Sequence, residues 1–192
     1  DYFAAGRLEP EVIVQVVRGV ARACREASCA LLGGETAEMP GFYATGDYDV
    51  AGFIVGLVER GEVMTGAGIR PGDLLLGLPS TGLHTNGYSL ARKVFFEVRG
   101  LEVHSRIPEL EATAAEALLA PHRSYLGALR DLLPGGKLRG MAHITGGGMT
   151  DNLPRILPEG CAAEVLRGAW PVLPVFDLIQ RWGEVSREEM ER

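Results

Sequence analysis

The stretch His143–Arg155 reads HITGGGMTDNLPR. The apolar run before it, LRGMAHIT, predicts a β-strand, and MTDNLPRIL after it predicts a short helix. A strand that turns on three glycines into a helix belongs to a fold mixing α and β. The same arrangement is a recurring way to hold an anion. Unpaired N–H groups at a helix start converge on one spot, and the helix dipole favours negative charge there. Glycine lets backbone approach a ligand without Cβ contact, and Thr145 adds a hydroxyl. The alternative is a helix cap and tight turn with no ligand. The spacing matches neither the G-K-[ST] nucleotide loop nor G-x-G-x-x-G. His143 precedes Thr145 by two residues, so in a strand both side chains share a face. Its imidazole there could accept, donate or transfer a proton near neutral pH, or simply be a satisfied core histidine.

A second loop repeats the pattern. DLLLGLPS predicts a buried strand, STGLHTNG a loop, and YSLARKVFFEV a helix. Ser80, Thr81, His84, Asn86 and Gly87 cluster between strand and helix, where binding groups commonly sit. Backbone turn chemistry alone is the other reading. A third candidate is LLGGETAEMPGFY, where a short buried strand is expected before the glycine pair. Glu35 and Glu38 follow the glycines, and a carboxylate there could help to hold Mg²⁺, which takes one or two carboxylates plus phosphate oxygens.

Outward from these loops, EPEVIVQVVRGVARACREA is the clearest helix. Ile13, Val16, Val17, Val20, Ala21 and Cys24 recur at three- and four-residue steps, and Pro10 suits the first turn. YDVAGFIVGLVE and CAAEVLR read as strands. EATAAEALLA, HRSYLGALRDLL and PVFDLIQRW read as helices, and SREEMER begins another with Ser186 and Glu189 at capping-box spacing. Glycines and a proline between Gly66 and Gly72 mark a boundary, giving domains 1–66 and 67–192.

The 192 residues carry 26 glycines and a net charge of −6 without a basic cluster, so a nucleic-acid partner is not expected, although backbone N–H groups can still bind a phosphorylated small molecule. No apolar run reaches the ~20 residues of a membrane span. Cys24, Cys29 and Cys161 lack metal spacing and are expected as buried or partly buried thiols in a reducing cytoplasm. The sequence opens without Met and stops inside a helical pattern, which reads as a piece of a longer polypeptide.

GGETAEMPGFY, DYDVAGF, STGLHTNGYSLARK and AHITGGGMTDNLPR, in this order, resemble the phosphoribosylformylglycinamidine cyclo-ligase (aminoimidazole ribonucleotide synthetase) family along essentially the whole chain. The resemblance implies an α+β architecture: the end of an N-terminal, dimer-forming β/α domain, then most of a C-terminal α+β domain. It implies a cytoplasmic homodimer in purine biosynthesis that uses ATP and Mg²⁺ to close formylglycinamidine ribonucleotide into aminoimidazole ribonucleotide, through phosphorylation of the formyl amide oxygen. Carried onto this sequence, Thr145, Gly146, Gly147 and Gly148 would hold a phosphate with Ser80, Thr81 and Asn86 nearby. His143 and His84 would serve hydrogen bonding and proton transfer, and Glu35 the metal. The family's glycine-rich N-terminal segment and its D-G-V-G-T-K motif do not occur here. Related ATP-using enzymes on a similar scaffold, namely formylglycinamidine ribonucleotide synthetase, selenophosphate synthetase and thiamine-monophosphate kinase, are the alternatives, as is a non-catalytic phosphometabolite-binding or assembly module.

Overall fold

The computed structural model describes residues 1–191, which separate into two compact units, one ending at residue 61 and the other beginning at residue 62. In the first unit, β1 (Tyr2–Ala5) lies at the centre of a three-stranded sheet. It pairs parallel with β2 (Glu35–Glu38), Phe3 opposite Thr36, and antiparallel with β3 (Tyr48–Ala51), Phe3 opposite Val50. Phe3, Ala4 and Ala5 are buried, and the Phe3 ring stacks on Tyr48 with centroids 5.1 Å apart. The parallel β1–β2 pair requires a crossover. Helix α1 (Pro10–Glu26) supplies it, with Pro10 at its start as the sequence predicts. Its Ile13, Val16, Val20, Ala21 and Cys24 are half-buried, whereas Val17 is exposed.

The second unit is held by a core of Leu83, Ala91, Val94, Phe95, Ile107, Ala114, Leu118, Val175, Leu178 and Ile179. Helix α2 (Tyr88–Arg92) widens into a π-helical turn over Lys93–Val98, burying Val94 and Phe95. A two-residue hairpin, β4 (Arg106–Ile107) with β5 (Ala112–Thr113), leads into α3 (Ala114–Leu118). Thr113 caps α3: its hydroxyl accepts from the Glu116 N–H at 3.2 Å, and the Thr113 N–H donates to the Glu116 carboxylate at 2.8 Å. Helices α4 (Leu126–Leu129), α5 (Gly148–Asn152), α6 (Pro174–Gly183) and α7 (Arg187–Met190) follow. Trp182 meets Phe95 edge-on at 5.4 Å, joining α6 to the core. Ser186 caps α7 by accepting from the Glu189 N–H at 3.2 Å.

Several expected strands are corrected. Residues 52–59, 73–80, 138–145 and 161–166 carry no strand. Leu57 is 100% and Phe53 86% exposed, and Leu74 and Leu76 are also exposed. A strand is a hydrogen-bonded pairing, so apolar β-branched composition alone does not make one. Among the described residues these runs have no ladder partner. The strand expected before the Gly33–Gly34 pair lies after it, at β2. Cys29 is exposed rather than partly buried.

Candidate functional site

The His84 loop is built from its anchors. Leu83 is buried in the second unit's core. Gly87 adopts φ 84°, ψ 0°, a left-handed conformation that glycine accepts without strain, and α2 begins directly after it. The Tyr88 hydroxyl donates to the Leu118 carbonyl at 2.7 Å, and the Tyr125 hydroxyl donates to the Pro79 carbonyl at 3.2 Å. The Thr81 hydroxyl donates to the Pro121 carbonyl at 2.8 Å, while the Thr81 backbone N–H donates to His84 Nε2 at 3.2 Å. Three hydrogen bonds therefore tie residues 79–88 to residues 118–125.

His84 is half-buried and stacks on His122, ring centroids 3.8 Å apart and planes 29° from parallel. Burial pushes the His84 pKa below its ordinary 6.5, and the charges of His122, Arg123 and His143 push it the same way. A neutral imidazole is thus favoured near pH 7.

The glycine loop uses the same device. Gly147 adopts φ 90°, ψ −2° and α5 starts at Gly148. Behind the loop stands Asn152, the one buried polar side chain among the described residues, 2% exposed. Its Nδ2 donates to the carbonyls of Gly148 at 2.7 Å, Thr145 at 3.2 Å and Gly146 at 3.3 Å. In a trans peptide the N–H points opposite to the carbonyl of the same unit. Drawing these three carbonyls inward turns the N–H groups of Gly146, Gly147 and Met149 the other way. That is the donor arrangement an anion requires. The Gly148 N–H is already committed to the Thr145 carbonyl at 3.0 Å, so Gly148 contributes close packing rather than a donor.

One hydrogen bond joins the two loops: Asn86 Nδ2 donates to Thr145 Oγ1 at 2.6 Å across 59 residues. The structure thereby brings together His84, Thr81, Asn86 and Thr145, with His143 near enough for its charge to act on His84. His143 itself is exposed and lies outside any strand, so the face it was expected to share with Thr145 is not a strand face. Ser80 is half-buried at the start of the loop. Glu35 belongs to the first unit, where it is exposed on β2 with its N–H donating to the Asp1 carbonyl at 3.1 Å. Among the described residues no group of three or more His, Cys, Asp or Glu is arranged to hold a metal ion. A recess of about 420 Å³ beside Thr81 and Gly82 is otherwise walled by residues such as Pro108, Leu110, Ala117 and Leu173, and no histidine lines it.

Sequence reasoning missed four contributors. His122 and Tyr125 lay in what reads as an ordinary helix start. Asn152 lay in a helical run, where its polarity gave no sign of burial. Asp151 is exposed, yet its carboxylate lies so close to Gly147 that a Cβ there would collide with it. A phosphate on the loop would meet that negative charge unless the exposed Asp151 side chain rotated away or a cation stood between them.

Residues 1–58 match the family described as AIR synthase related protein, N-terminal domain, and residues 70–192 match its C-terminal domain. The chain belongs to the AIR synthase related family. Proteins called phosphoribosylformylglycinamidine cyclo-ligase are similar to this AIR synthase related chain throughout. The one from Myxococcus xanthus is 53% identical over 190 residues, 99% of this chain and 55% of that protein. Those from Bifidobacterium animalis subsp. lactis and Syntrophotalea carbinolica are 52% identical over 191 residues and 50% over 192, covering 56% and 55% of their lengths. The chain thus spans little more than half the length of the curated relatives it matches. No helix among the described residues is long and apolar enough to cross a membrane.

Proposed function

We propose that this chain is part of an ATP-dependent cyclo-ligase that closes formylglycinamidine ribonucleotide to aminoimidazole ribonucleotide in purine biosynthesis. The Asn86–Thr145 hydrogen bond carries the reading, because it unites the two polar loops into one donor-rich site. Relatives bearing the cyclo-ligase name, similar along 99–100% of this chain, support it.

An amide oxygen is a poor leaving group, and ATP supplies the phosphoryl group that makes it a good one. The chain's own residues bind and orient. Thr145, whose oxygen accepts from Asn86, keeps its hydroxyl hydrogen for a phosphate oxygen, alongside the N–H groups of Gly146, Gly147 and Met149. Ser80 and Asn86 flank that position. Thr81 spends both its hydrogens on Pro121 and His84, so it orients His84 rather than binding substrate directly. His84 and His143 serve hydrogen bonding and proton movement at the formyl group. Glu35 offers one carboxylate, which fits a Mg²⁺ held mainly by phosphate oxygens and not by a protein cage. The exposed apolar side chains of Phe53, Ile54, Val55 and Leu57 support a homodimer formed through the first unit.

Calorimetric titration of formylglycinamidine ribonucleotide into the chain, beside Thr145→Val, tests the site. Losing a hydrogen bond to a charged group costs about 1.5–3 kcal/mol, so the variant should bind about 10- to 100-fold more weakly. Equal binding by both proteins removes the glycine loop from substrate recognition. For the complete polypeptide, ATP consumption that depends on this substrate is the expected result, and substrate-independent consumption or none refutes the cyclo-ligase reading.

A further inference from the structure

The hydrogens around His84 fix its tautomer. A backbone N–H can only donate, so the 3.2 Å contact from the Thr81 N–H requires a lone pair on His84 Nε2. The Thr81 hydroxyl oxygen also lies 3.2 Å from Nε2, but its single hydrogen is committed to the Pro121 carbonyl at 2.8 Å, so it could only accept from a ring N–H there. A proton on Nε2 could reach that oxygen only while facing the Thr81 backbone N–H, setting two N–H groups against each other. These contacts favour a neutral ring with its hydrogen on Nδ1.

The partner that holds this ring in place is His122. Its segment is pinned to the His84 loop at both ends, by Thr81 to Pro121 and by Tyr125 to Pro79. The Tyr125 ring lies 6.2 Å from His84 at 57°. The titratable and charged groups facing His84 are His122, Arg123 and Tyr125 from that segment and His143 from the glycine-loop side. Three of these are cationic or can become so, and none is a carboxylate. With rings 3.8 Å apart, a proton on one imidazole opposes a proton on the other.

We propose that His122 is a positioning residue for His84: its stacked ring, with the Thr81 N–H, holds His84 as the neutral Nδ1–H tautomer, so that His84 meets substrate as a hydrogen-bond donor and not as a general base. The proposal rests on His84 facing the substrate, as in the cyclo-ligase reading, and changes the role assigned to it there. A donor at that place polarises or steadies a substrate oxygen without taking its proton.

Long-range ¹H–¹⁵N correlation through the imidazole rings of the ¹⁵N-labelled chain reads tautomer and titration together. Single His→Gln variants assign the four rings. His122→Phe keeps an aromatic stack without a charge, and His122→Ala removes both. The wild-type chain should show His84 as Nδ1–H with a midpoint below 6.5. His122→Phe should keep that tautomer and raise the midpoint, and His122→Ala should raise the midpoint and mix the tautomers. A wild-type His84 protonated on Nε2, or a tautomer and midpoint unmoved in both variants, overturns the proposal. The result needs no substrate. If the tautomer behaves as expected and the complete polypeptide shows no turnover, the functional reading falls and the positioning role stands.

Discussion

Replacing Asn152 tests the scaffold of the glycine loop, and the comparison of two substitutions is sharper than either alone. Nδ2 has two hydrogens for three carbonyls, and the environments differ. The 2.7 Å bond to Gly148 is buried, Thr145 is half-buried, and Gly146 is exposed, where water can replace the donor. Removing the donor leaves the Gly148 carbonyl only the helical bond from the Asn152 backbone N–H, and the lost Gly148 and Thr145 contacts cost about 0.5–1.5 kcal/mol each. Against this, Asn152 Oδ1 is itself buried without a partner. Leucine eliminates that orphan and recovers about 1–3 kcal/mol. Asn152→Leu should therefore change stability by no more than about 1 kcal/mol. Asn152→Asp has nearly the same shape, but it keeps an acceptor and points a second one at three carbonyls. It should cost at least about 3 kcal/mol near neutral pH. Its carboxyl pKa would be raised by burial and by those carbonyls, and the protonated form can donate once. The aspartate variant should thus regain stability as the pH falls through its raised pKa, towards the ordinary ~3.9 of an unfolded aspartate. Urea titration followed by tryptophan fluorescence suits the purpose, because both tryptophans, Trp170 and Trp182, lie in the second unit. Equal losses for the two variants, or an aspartate variant whose midpoint does not rise on acidification, would refute the assignment of Asn152 as a donor to the loop.

Three further outcomes are expected. Gly147→Ala should lose about 1–2 kcal/mol for its left-handed backbone and force Asp151 aside, which chemical-shift changes at Asp151 in the same variant would reveal. Phe95→Ala, at a residue with 0% exposure, should cost about 3–5 kcal/mol, and the fluorescence of the neighbouring Trp182 should shift even before unfolding. The unfolded chain binds a proton at His84 near its ordinary 6.5 while the folded chain resists until lower pH. Second-unit stability should therefore fall as pH drops below 6.5, with the full loss reached below the folded pKa. His84→Asn should flatten that slope, whereas the depressed carboxylates Asp73, Glu116 and Glu191 act in a separate, more acidic window.

Helices announced themselves in the sequence where their signals are local. The apolar step of α1, Pro10 at its first turn, Pro174 at the start of α6 and the Ser186 cap all lie within a few residues of what they determine. Strands did not, because a strand depends on a neighbour far along the chain. Tyr2–Ala5 has no strong pattern of its own and is a strand through β2 and β3, while the more apolar 52–59 run has no such pairing. The candidate site divides in the same way. His84, Asn86 and Thr145 stood out because small and polar residues crowd their loops. The 59-residue link between Asn86 and Thr145, the stacking of His122 and the burial of Asn152 are products of tertiary structure.

The ties between residues 79–88 and 118–125 make the His84 loop cooperative with its surroundings. A surface loop ordinarily frays alone, with amide hydrogen exchange far faster than that of the core. Here the Thr81, Tyr88 and Tyr125 side chains fasten the loop to the end of α3 and the segment after it. Opening it means breaking contacts of both segments together. The amides of Thr81 and Leu119, 38 positions apart, should then exchange at a common rate, and a denaturant that releases one should release the other.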